Sequence, residues 1–116
     1  MGMDLHGRGI FFSIHADDWG EILALANGFG WQPKGTKEPE NYGEDTGQKW
    51  GGHYNSNDWQ LIEEDDAHQI FCALKCAMAK MNEEDELPPS KRTIKANPTL
   101  VNAVAALVRA GSVTIS

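Results

Sequence analysis

Two periodicities organise the chain. Ile10-Phe11-Phe12-Ser13-Ile14-His15 is rich in strand formers and of strand length. Trp19, Ile22, Leu23, Ala26 and Phe29 then recur at helical spacing. Asp17 or Asp18 precedes them and supplies a carboxylate for the helix N-cap. Asn27-Gly28 and Gly30 stop that helix. Trp59-Gln60-Leu61-Ile62 reads as a short strand, entered through Asn57-Asp58, which both tolerate left-handed turn geometry. The best-defined helix covers roughly 63–82, with carboxylates at its positive end and a core stripe of Ala67, Ile70, Phe71, Leu74, Met78 and Met81. Asn97 caps a third helix, with Pro98 at its first position and Gly111 at its stop. Val113-Thr114-Ile115 is the last strand. Residues 1–8 read as loose, and 34–52 as a long loop with almost no apolar residue before Trp50.

That order predicts an α+β fold: a small sheet of three to four short strands, with about three helices packed mainly on one face. At 116 residues and 41% apolar content the chain suits one domain spanning 1–116. No run approaches the ~20 apolar residues of a membrane span, and residues 1–8 lack the apolar core of a signal peptide. Cys72 and Cys76 stand four apart in one helix, poorly oriented for a disulfide, so a reducing, cytoplasmic setting is expected.

Charge changes the picture more than size does. Seventeen acids and ten bases give a net charge of −7. Residues 63–86 hold eight acids and two bases, whereas 87–116 hold four bases and no acid. Such a field repels phosphates, so neither direct nucleic-acid binding nor a membrane surface is expected. A basic protein surface is the partner it favours, although acidity also serves solubility alone.

Phe29-Gly30-Trp31-Gln32-Pro33-Lys34-Gly35-Thr36 resembles a GWxPxGT segment that follows the first helix in a group of small uncharacterised bacterial proteins. In that group a YxSNDGQ turn follows, then an acidic pair and an alanine leading into an amphipathic helix. The matching residues here are Tyr54-Asn55-Ser56-Asn57-Asp58-Trp59-Gln60 and Asp65-Asp66-Ala67, with Trp59 where the group tends to have glycine. The resemblance covers residues 10–82 and implies a shared fold but no activity.

Candidate chemistry is sparse. Glu64, His68, Cys72 and Cys76 follow one another at i,i+4 and are all zinc-ligand types. Three or four ligands from one straight helix cannot surround a tetrahedral ion. Two can, with the rest supplied from elsewhere. Neither a metal nor another cofactor is assigned, and both thiols are expected to be buried against the third helix. No G-x-S-x-G, H-E-x-x-H or Gly-rich phosphate loop occurs.

The leading expectation is therefore a non-enzymatic acidic protein-interaction module, comparable in size and charge with immunity proteins and phage-type inhibitors. Its partner-binding residues would be Glu83, Glu84, Asp85 and Glu86, a run that helix stability does not explain, with Trp50 and Trp59 as aromatic anchors. The alternative is a small-ligand or metal-dependent enzymatic site between the 34–58 loop and the first helix, using His15, Asp17, His53, Asn57 and Asp58. A homodimer through the second face of the 63–82 helix is the third.

Overall fold

The computed structural model describes residues 2–40, 42, 43, 47 and 49–116; positions 41, 44–46 and 48 of the expected loop lie outside the described residues. Strands β1 (Gly2–His6), β2 (Phe11–His15), β3 (Gln60–Ile62) and β4 (Val113–Ile115) form an antiparallel sheet in the order β2-β1-β4-β3. Helices α1 (Ala16–Gly28), α2 (Glu64–Glu84) and α3 (Pro98–Arg109) supply the other layer, and a single 3-10 turn, Pro89–Lys91, interrupts the connector before α3. No helix among the described residues is long and apolar enough to cross a membrane.

Residues 2–6, expected to be loose, instead form the strand between β2 and β4. Met3 and Leu5 point into the core while Gly2, Asp4 and His6 point away. Backbone pairing on both sides compensates for so few apolar residues. Because side chains alternate across a strand, register sorts the two sheet faces. Leu5 lies opposite Phe12 and Ile115, and Ile115 opposite Gln60, on the helix-covered side. His6 lies opposite Phe11 and Thr114, and Thr114 opposite Leu61, on the open side. Antiparallel sheets tolerate one such solvated face.

Two local expectations change. The N-cap of α1 is His15, not Asp17 or Asp18: its Nδ1 accepts the Asp17 backbone N–H at 3.1 Å. The aspartates instead occupy the first turn, where the helix dipole favours them. Cys72 and Cys76, expected in the core, are exposed. Ala67, Ile70, Ala73, Leu74 and Ala77 form one broad buried face of α2. Ala73 and Ala77 widen that buried face, so His68, Cys72 and Cys76 fall on the opposite, exposed side.

Asp66, only 2% exposed, ties the loops to this frame. Its Oδ1 accepts the Trp31 indole N–H at 2.9 Å, and its Oδ2 the Tyr54 hydroxyl at 2.5 Å. The Tyr54 oxygen in turn accepts the Gly35 N–H, and the Tyr54 carbonyl accepts the indole N–H of the fully buried Trp19. Burial, and after it the Asp66 carboxylate, pushes the Tyr54 phenol well above its usual range, so it remains a donor. Gly35 and Gly52, both at positive φ, pass so closely that a Cβ on Gly52 would come 3.2 Å from the Gly35 Cα. Lys37 exchanges two backbone hydrogen bonds with Leu61, which fastens the 34–52 segment to the edge of β3.

Removing the Asp66 carboxylate strands two buried donors. Asp66→Ala should cost about 3 kcal/mol of unfolding free energy, and Tyr54→Phe about half that. Urea denaturation of each variant, with the m-value unchanged, is the measurement that checks this.

Candidate functional site

The open sheet face carries the most unusual residue of the chain. Trp59 has φ 67°, the only positive φ at a non-glycine among the described residues, and is 62% exposed. Its conformation follows from the turn before it. The Trp59 N–H donates to the Ile115 carbonyl at 2.7 Å, extending the β3–β4 ladder. Gln60, fully buried, accepts the Asp58 N–H and donates to the Ser56 carbonyl at 2.6 Å, closing the turn beneath it. The backbone enters β3 through a left-handed residue, a conformation that favours glycine. A bulky side chain there costs roughly 1–2 kcal/mol. Neither turn chemistry nor core packing asks for tryptophan.

Its indole stacks on His6 at 5.3 Å and 24°, and His6 leans on Phe11 at 4.9 Å. Phe11 is 60% exposed, so three aromatic rings cross the face from β2 to β3. His6 Nε2 meets Ser116 Oγ at 2.6 Å, and Ser13 donates to Asp4, which keeps the middle of the face polar. Beside Trp59 lies a cleft of about 570 Å³ lined by Glu38, Glu40, Tyr42, Leu61 and Thr114 among others. Asp58 is exposed one residue before it.

Trp50 plays a different part. It is half-buried, donates its indole N–H to the Thr36 carbonyl at 3.0 Å and packs on His53 and Tyr42. It anchors the loop, and Trp59 is the tryptophan left free.

The acidic run divides as well. Glu83, Asp85 and Glu86 are exposed, but Glu84 is 5% exposed and turned inward. Its carboxylate accepts the Thr93 N–H at 2.8 Å, the Thr93 hydroxyl at 2.6 Å and the Ile94 N–H at 3.2 Å. Those bonds hold the connector against the end of α2, which accounts for a carboxylate at the unfavourable helix end and leaves Glu84 occupied within the chain. The run also lies far from Trp59. The 21 residues of α2 separate it from β3, roughly 30 Å at ~1.5 Å per residue. One hot spot cannot include both.

Four of the five alternative ligand residues form two pairs rather than one site, and the exposed Asn57 joins neither. His15 Nδ1 is 3.7 Å from Asp17, and His53 Nε2 is 3.8 Å from Asp58. His15 ends β2 and Asp58 precedes β3, on opposite edges of the sheet, about three strand spacings or ~14 Å apart. A groove of about 400 Å³ does lie between α1 and residues 53–55, and of the five residues only His53 lines it. No three His, Cys, Asp or Glu side chains among the described residues gather where they could hold a metal.

Sequence reasoning passed over Phe11, His6 and the Asp66 cluster. The Phe11-Phe12 pair does not say which ring faces out, because register decides it. Compared with known protein families, curated proteins and solved structures, the chain matches none.

Three hydrogen bonds, the Thr93 hydroxyl first, hold the Glu84 carboxyl below its ordinary value of about 4.5. A depressed acid contributes stability above its unfolded pKa and loses it as pH falls through the folded one. The melting temperature should therefore fall as the pH drops below about 4.5. In Glu84→Gln it should be lower at neutral pH and fall less on acidification. Thermal scans across pH 3–7 compare the two.

Proposed function

We propose that the chain is a non-enzymatic, acidic protein-interaction module whose contact surface is the open sheet face around Trp59, and whose partner presents a basic surface. The strained, exposed indole supports this most directly. Backbone strain of this kind clusters at binding sites, and tryptophan is the residue most enriched at interface hot spots. The neighbouring carboxylates of Glu38, Glu40 and Asp58 outnumber Lys37 and suit a cationic partner. An arginine or lysine laid on the indole would gain cation–π attraction as well. Aromatic rings on a sheet also suit stacked bases, but no basic groove accompanies these and the chain bears −7, which disfavours nucleic acid. The two exposed thiols fit a reducing, cytoplasmic setting. Blocking a basic protein, as immunity-type and phage-type inhibitors do, is the activity such a surface serves. Glu83, Asp85 and Glu86 then contribute a field that speeds encounter rather than the contact itself.

Native-lysate capture with three baits tests this. The wild-type chain should retain a stoichiometric basic protein. Trp59→Gly should lose it, while Glu83→Lys/Asp85→Lys/Glu86→Lys should keep it with slower association. A partner retained by Trp59→Gly would place the contact elsewhere, and one lost only with the charge-reversed variant would move it to the end of α2.

A further inference from the structure

The thiols on the outer side of α2 have no packing role, and their geometry has a use. Cys72 Sγ lies 3.6 Å from His68 Nε2, one helical turn before it, and both side chains are exposed. A tetrahedral ion with metal–sulfur bonds of ~2.3 Å and metal–nitrogen bonds of ~2.0–2.1 Å sets its sulfur and nitrogen about 3.6 Å apart. In the metal-free chain the same contact is a thiol–imidazole hydrogen bond. We propose that His68 and Cys72 are one half of a four-coordinate site for a zinc-type divalent cation, completed by His68 and Cys72 of a second copy of this chain.

Among the described residues no third His, Cys, Asp or Glu gathers with the pair, and a second chain is assigned the other two ligands. A two-fold axis supplies them, because an isologous contact presents the same patch twice. The flanking charges favour an antiparallel pairing. Exposed Glu64 stands toward one end of the line and exposed Lys75 toward the other, so each copy's carboxylate meets its partner's ammonium group, whereas Asp65 is already held by Lys34. On binding, each imidazole coordinates through its neutral Nε2 lone pair. Each Cys72 thiol gives its proton to solvent, and the two thiolates balance the charge of the cation. Cys76, one turn further along, stays outside the set and serves as the control. This site lies on the helix layer and is independent of the face around Trp59.

Light scattering and native mass spectrometry of the full chain, in a non-thiol reductant, test the proposal. With chelator the chain should be a monomer. At one Zn²⁺ per two chains its mass should double, with one ion bound and about two protons released. His68→Ala and Cys72→Ala should remain monomers under those conditions, and Cys76→Ala should still dimerise. Co²⁺ in place of Zn²⁺ should give a thiolate charge-transfer band that Cys72→Ala abolishes. A monomer at that ratio, a one-to-one complex, dimerisation of Cys72→Ala, or its loss in Cys76→Ala would each overturn it.

Discussion

One buried carboxylate, that of Asp66, joins the long connection between α1 and β3 to the helix layer. Asp66 sits in the first turn of α2 and receives the indole of Trp31 and the hydroxyl of Tyr54, which come from opposite ends of the connection between α1 and β3. Without it, the segments before and after the 34–52 stretch would have little to hold them, since among the described residues of that stretch only Thr36 is buried. A buried carboxylate is tolerated only when its lone pairs are occupied. No buried side-chain nitrogen or oxygen among the described residues lacks a partner. The backbone bridge from Lys37 to Leu61 and the Gly35–Gly52 approach then fix the loop beside β3.

That anchoring links the architecture to the surface. Gln60 and Tyr54 hold the 53–58 turn from beneath, and the turn delivers Trp59 to the open face in a left-handed conformation. The network thus holds a turn whose exposed residue is the least comfortable one. A scaffold of this kind presents an aromatic group with little entropy left to lose on binding.

Much of this was legible in the chain itself. The α+β class, three helices on one face, and the strands at 11–15, 60–62 and 113–115 follow from periodicity and caps. What escaped depended on contacts distant in sequence. β1 has only Met3 and Leu5 facing the core and is held by neighbours contributed by residues 11–15 and 113–115. Cys72 and Cys76 seemed to need a cover because Ala73 and Ala77 do not register as a packing stripe, yet small residues are what let a second helix approach. Glu84 looked like surplus charge because its donors, Thr93 and Ile94, lie beyond the Pro88-Pro89 break. Trp59 was conspicuous as a departure from glycine, but only the backbone shows that the departure is strained.

Whether Trp59 is kept for binding or for the fold can be measured on the isolated chain. The unfolding free energy of Trp59→Gly, from urea titration, decides it. Relief of left-handed strain, about 1–2 kcal/mol, offsets the lost stack on His6, about 0.5–1.5 kcal/mol, and the added chain entropy of glycine, about 0.5–1 kcal/mol. The variant should therefore lie within about 1 kcal/mol of wild type. A loss of more than about 2 kcal/mol, as expected for removal of a packed aromatic, would make Trp59 a structural residue and contradict the account.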